Sequence, residues 1–225
     1  MGYDIAADWY EVPNATAVLL VFIGLKSAKA RNAEFVQSLA HEAGTSTLVV
    51  DFSGHGDSPF SLDQLMPAQH IVEAVTAFDW LQQEHPELAV NVMGTSYGGF
   101  IATWLSKVRD FNKLVLRTPA LYQPADLYTS HADIDIEFTS HIYRKDEAAV
   151  RKHPIFSFPT KFTGKTLVVI HGDDEDVPAA TTDAYAEALS AETYLVEGLR
   201  HSLRDPANPQ PQLAAYRSFI AHWLQ

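Results

Sequence analysis

In the stretch "VMGTSYGGF" (92–100), Ser96 has a glycine two residues before it and another two residues after. A serine hydroxyl attacks carbonyl carbons when a base takes its proton and a third group holds that base. Glycine is needed where the backbone takes unusual dihedrals or where another group approaches closely. The apolar residues 89–94 read as a strand and those from Tyr97 onward as a helix. So abrupt a turn strains its central residue and brings strand and helix nearly into contact. Gly94, Gly98 and Gly99 then keep the flanks free of side chains. The Ser96 hydroxyl is left at a helix N-terminus, where backbone N–H groups favour a negative oxygen. The chain has no cysteine, which removes a cysteine nucleophile, disulfides and thiolate metal sites from consideration.

Positioning such a corner takes a sheet. Short apolar runs at 16–23, 46–52, 89–94, 113–118, 166–171 and 192–198 suit strands buried on both faces. An alternating run over 3–12 suits an edge strand. Amphipathic stretches at 29–43, 66–84, 97–109, 179–190 and 211–224 suit helices. Strand and helix in alternation imply a mostly parallel α/β sheet covered on both faces. With 225 residues, 47% hydrophobic and 20% charged, the expectation is one domain spanning 1–225. Residues 119–162 are too long for a simple crossover and are expected to form a small inserted lid.

A net charge of −12 argues against nucleic-acid or anionic-membrane partners. The N-terminal apolar run 17–23 lacks a basic leader and is too short to cross a bilayer, so a cytoplasmic location is expected. Two phosphate-loop look-alikes fail. "TGKT" (163–166) lacks its leading glycine and enters a strand, and "SGHGDS" lacks a third glycine and a following helix. Trp80, Trp104 and Trp223 fall in amphipathic helices and are expected in the core.

Over almost its whole length the sequence resembles the α/β-hydrolase family, whose nucleophile elbow is Gly-x-Ser-x-Gly. "DFSGHGDSP" (51–59) resembles the family's loop after an early strand, with Ser53 where arginine is common. The resemblance implies the order serine, acid, histidine, with Ser96 as nucleophile. "VVIHGDDEDVPAATT" resembles the family's acid loop but is one residue short. Counting back from Val177-Pro178 selects Asp174 and counting forward from Gly172 selects Glu175; Asp174 is favoured, and Asp176 is the third option. His201 in "VEGLRHSL" matches the family's base. The backbone N–H groups of Tyr97 and, in "IGLKSAK", Leu25 would form the oxyanion hole.

The other histidines divide by position. His41, His70, His85 and His222 are expected on helix surfaces, His55 on a loop rim and His171 behind the acid loop. His131, His141 and His153 lie in the insertion and could touch substrate. Arg117, at the end of a strand, is expected to pair with one of residues 173–176; the sharper reading has it bind a substrate carboxylate.

The sequence therefore leads to a serine hydrolase acting on a small-molecule carboxylic ester, requiring no cofactor and no metal. A thioesterase, amidase or acyltransferase would use the same residues, and a cofactor-free perhydrolase or a non-catalytic binding protein could share the fold. Apolar and aromatic residues of the insertion (among them Leu121, Tyr122, Tyr128, Ile134, Ile136 and Phe138) imply an apolar or aromatic substrate group.

Overall fold

The computed structural model describes residues 2–225, and of Gln210 the backbone alone. Seven strands form one sheet: β1 (Ala7–Tyr10), β2 (Ala17–Phe22), β3 (Ser46–Val50), β4 (Ala89–Thr95), β5 (Lys113–Arg117), β6 (Lys165–His171) and β7 (Glu192–Val196). Their spatial order is β1-β3-β2-β4-β5-β6-β7. β1 is an edge strand antiparallel to β3, and every other pairing is parallel.

The strands are apolar throughout because the sheet is covered on both sides. Val18, Leu20 and Phe22 of β2 face one layer, where α2 (Pro67–Glu84), α3 (Tyr97–Val108) and α7 (Ala179–Ala188) contribute Phe78, Phe100 and Tyr185. Leu19 and Val21 face the other, packed by α1 (Lys29–Ala43) and α8 (Gln210–Leu224) through Leu39, Tyr216 and Ile220. The period of two sends alternate residues to opposite faces. Gly44, in the left-handed region, ends α1, and its N–H donates to the carbonyls of Ala40 and His41.

Residues 119–162 hold α4 (Ile136–His141), α5 (Glu147–Arg151) and α6 (Pro154–Ser157) with short 3-10 turns. Asp135 and Asp146 cap α4 and α5 through hydrogen bonds to the N–H groups of Phe138 and Ala149. Ile134, Val150 and Ile155 anchor the segment in the first layer, and α5 packs on α7. Trp80 departs from the expected core position: it is 45% exposed on the outer side of α2.

Because β2 and β4 to β7 run parallel, their carboxyl ends meet along one edge. The loop after β2, Ser96 after β4, Arg117 at the end of β5, Asp174 after β6 and His201 after β7 all converge there.

Candidate active site

Ser96 is strained as its glycine flanks imply, with φ 52° and ψ −116°. Such a conformation costs a non-glycine residue about 1–3 kcal/mol and persists only where the surroundings fix it. Its N–H donates to the Arg117 carbonyl at 2.9 Å, and its own carbonyl accepts from Gly99, Phe100 and Ala120. The close approach is visible at the glycines. A Cβ on Gly94 would stand 2.3 Å from the Gly98 carbonyl oxygen, and one on Gly98 would stand 2.2 Å from that of Phe22.

His201 Nε2 lies 3.0 Å from Ser96 Oγ, and its Nδ1 lies 2.8 Å from Asp174 Oδ2. A carboxylate accepts, so Nδ1 carries the proton and the Nε2 lone pair is free to take one from the serine. Asp174 Oδ1 accepts from the N–H groups of Asp176 and Val177 at 2.9 Å each. That turn buries the Asp174 side chain to 2% exposure, while Glu175 and Asp176 are exposed. Of the three acidic candidates, Asp174 alone meets His201 through a hydrogen bond.

The N–H groups of Tyr97 and Leu25 donate to no acceptor among the described residues. The loop bearing Leu25 sits on the corner: a Cβ on Gly24 would touch the Ser96 Cβ at 3.6 Å. Leu25 and Ser96 both line a cleft of about 350 Å³.

Residues 13–148, more than half of the chain, match the family described as serine aminopeptidase, S33. The chain belongs to this family of α/β-hydrolases. No curated protein sequence matches it. Among solved structures this hydrolase is similar to Est1E of Butyrivibrio proteoclasticus, solved with ferulic acid bound, at 16% identity and TM-score 0.75, covering 99% of this chain and 95% of that one. A monoacylglycerol lipase of Paleococcus ferrophilus is 15% identical with TM-score 0.71, covering 98% of each chain. Carboxyl esterase 2 of the fungus Tuber melanosporum is 17% identical with TM-score 0.69, covering 98% of this chain and 81% of that one. These likenesses establish the α/β-hydrolase fold.

The family's arginine is absent at Ser53, and the hydrolase uses neutral donors instead. The buried Glu73 carboxylate accepts from the Ser53 N–H at 2.9 Å, the Ser53 hydroxyl at 2.5 Å and the Tyr3 hydroxyl at 2.7 Å.

His70 corrects the expectation of a surface histidine. It is 0% exposed. Its Nε2–H donates to the Ser53 carbonyl at 3.0 Å and its Nδ1 accepts from the Tyr97 hydroxyl at 2.6 Å. His131 Nε2 lies 3.3 Å from the same hydroxyl, and His55 stacks on the Tyr97 ring. Burial, aided by neighbouring His131 and His55, pushes His70 down to about 3. The signal was present: His70 falls on the helix face of Ala74, Ala77, Phe78 and Leu81, all buried.

Arg117 is a second correction. Among the described residues it pairs with no carboxylate. Its Nε donates to the Tyr216 hydroxyl at 2.5 Å, and its guanidinium lies over the rings of Phe35 and Tyr216. His171 Nδ1–H donates to the Arg200 carbonyl at 2.8 Å, so Nε2, 3.2 Å from the Tyr216 hydroxyl, accepts its proton. His171 is held neutral, pushed down to about 4 by burial and then by Arg117.

The insertion contributes fewer apolar side chains to the cleft than its composition implies. Of the apolar and aromatic candidates, Tyr122 and Ile136 line it; Leu121 and Ile134 are buried in the core, and Tyr128 points to solvent. Neither His131, His141 nor His153 lines it. Its walls join Leu25, Phe35 and Leu203 with Arg31, Arg117, Arg144 and Arg204. Asp174, Asp176 and His201 present ligand atoms within 4.8 Å of one another. Two of the three are already hydrogen-bonded together and the third is exposed, so the group is not built as a cation cage. Among the described residues, no helix is long and apolar enough to cross a membrane.

Proposed function

We propose that this α/β-hydrolase cleaves a small-molecule carboxylic ester through an acyl-enzyme intermediate. The observation that carries the reading is the series Ser96 Oγ, His201 Nε2, His201 Nδ1 and Asp174 Oδ2, with links of 3.0 and 2.8 Å, opening onto a cleft. Ser96 Oγ attacks the ester carbonyl carbon as its proton passes to His201 Nε2. Asp174 keeps the imidazole oriented and stabilises it once charged. The carbonyl oxygen, now negative, meets the N–H groups of Tyr97 and Leu25. His201 then protonates the departing alkoxide, and a water activated by the same nitrogen releases the acid. No step calls for a cofactor.

Residues 119–162 act in this reading as a lid, since Tyr122, Ile136, Ser140 and Arg144 come from that segment and line the cleft with Ser96. The family's description raises aminopeptidase activity as the second reading. A free α-ammonium needs carboxylates to receive it, and the only acidic residue lining the cleft among those described is Asp176. The charge of the walls favours the ester.

The test compares wild type and Ser96→Ala on p-nitrophenyl esters of rising acyl length and on aminoacyl-p-nitroanilides. Ester turnover lost in the variant supports the reading. Anilide turnover exceeding ester turnover, or ester rates equal in both proteins, would sink it.

A further inference from the structure

The eight arginines of the chain sort into two sets. Arg109, Arg151, Arg200 and Arg217 each pair with a carboxylate: Asp79, Glu187, Asp205 and Glu42. Arg31, Arg117, Arg144 and Arg204 pair with none among the described residues, and all four line the cleft that holds Ser96. The chain carries 28 acidic residues and a net charge of −12, yet among the described residues no carboxylate lies in ion-pair contact with these four.

Two of these cations are buried, Arg117 at 5% exposure and Arg144 at 4%. Burying a charge without a counter-charge is unfavourable, and proteins ordinarily pair it. Arg144 is met by neutral acceptors: the carbonyls of Leu121 and Asp176 and the Ser140 hydroxyl. Arg117 has less. Its Nε uses the Tyr216 hydroxyl, whereas neither Nη nitrogen makes a hydrogen bond among the described residues. The rings of Phe35 and Tyr216, 4.4 and 5.2 Å from the guanidinium carbon, offset part of the desolvation. They supply no counter-charge. His171, which accepts from the Tyr216 hydroxyl, is neutral.

Thr95 pairs with Arg117 across β4 and β5, so this guanidinium stands one strand away from the corner that carries Ser96. A planar fork with two free edges matches a carboxylate. We propose that the cleft takes esters bearing a second group, a carboxylate, which Arg117 binds while Arg31 and Arg204 at the exposed rim draw it in. Resting on the ester-hydrolase reading, this gives that reading its substrate class: half-esters of dicarboxylic acids and their analogues.

The experiment measures kcat/KM for p-nitrophenyl hydrogen glutarate against p-nitrophenyl valerate, a neutral ester of similar length. Wild type should prefer the anionic ester at least tenfold, and 0.5 M NaCl should erode that preference through its KM. In Arg117→Gln the ratio of the two kcat/KM values should fall about tenfold or more. Arg31→Gln, an exposed change that folding tolerates, should lower it severalfold. A wild-type ratio of one or below overturns the proposal, as does a ratio that neither variant alters.

Calorimetry of glutarate with the Ser96→Ala protein separates the two readings. Glutarate bound by Ser96→Ala and lost in Ser96→Ala/Arg117→Gln, with neither ester hydrolysed by wild type, would keep the carboxylate site and remove the esterase. Both esters hydrolysed without preference and glutarate unbound would remove the carboxylate site alone.

Discussion

The Nε of Arg117 donates to the Tyr216 hydroxyl at 2.5 Å, joining the end of β5 to α8 across 99 residues of sequence. The same hydroxyl donates onward to His171, whose other nitrogen holds the carbonyl of Arg200, the residue before His201. One phenolic oxygen thus ties a buried cation to the loop that presents the candidate base. Tyr216→Phe leaves Arg117 Nε and His171 Nε2 without partners in a buried setting. Urea unfolding should show a loss of about 1–3 kcal/mol. Unchanged stability would mean the link carries no weight.

Asp174 and its neighbours make a second prediction. Asp174→Asn turns an acceptor toward a donor and leaves His201 in the wrong tautomer, which in comparable sites lowers kcat about a thousandfold or more. Glu175→Gln, on an exposed residue, should leave kcat near wild type. Steady-state kinetics on one ester, with both variants checked for folding by circular dichroism, decides between them. Equal losses would reopen the choice of acid.

The corner's packing gives a third. Gly98→Ala would push a methyl to 2.2 Å from the Phe22 carbonyl and 2.7 Å from that of Ile23, both backbone atoms that cannot rotate away. Overpacking of this kind costs about 1–3 kcal/mol. Gly24→Ala meets the Ser96 Cβ at 3.6 Å, an ordinary contact, and should cost within about 0.5 kcal/mol. Parallel urea titrations test the contrast, and equal midpoints would refute it.

The fourth concerns acid. His70 is pushed down to about 3, and His131, His153 and His171 to about 4, in each case chiefly by burial. Free histidine titrates near 6.5, so below that pH the unfolded chain takes up protons that the folded chain refuses. Stability is therefore full above about pH 6.5 and is lost as pH falls toward 4. Each histidine contributes up to about 1.4 kcal/mol per pH unit in that window. Melting temperatures from pH 8 to 4.5 should fall steepest below 6.5. His153→Gln, which removes one of these groups, should flatten the slope relative to wild type, and a slope that stays the same would count against this account.

Much of this was legible in the sequence because local chemistry dictates it. The apolar strand runs, the glycine flanks of Ser96 and the Val177-Pro178 landmark all act within a few residues of the groups they position. What escaped detection depends on partners distant along the chain. Arg117 was expected to meet the nearby acid loop and instead meets Tyr216. Ser53 was recognised as standing where the family's arginine is common, but its partner Glu73, on the following helix, was not foreseen. His70 was misjudged because a polar residue on a helix defaults to the surface, although its spacing with Ala74 and Phe78 set it among the buried positions. The insertion misled through composition, which counts aromatic residues without saying which way they face.

Arg117 serves the corner twice. Its carbonyl accepts the Ser96 N–H, and its side chain forms the cationic wall of the cleft. Neighbouring strands lie about 4.8 Å apart wherever a sheet is intact. Ser96 and Arg117 sit at the ends of neighbouring strands, so the sheet's own spacing fixes the separation of their backbones. Movement of the proposed lid, residues 119–162, would leave that separation unchanged. On the carboxylate proposal, a ligand spanning the two points is measured against a separation the sheet holds, with the Arg117 side chain, held by Tyr216, supplying the remaining reach.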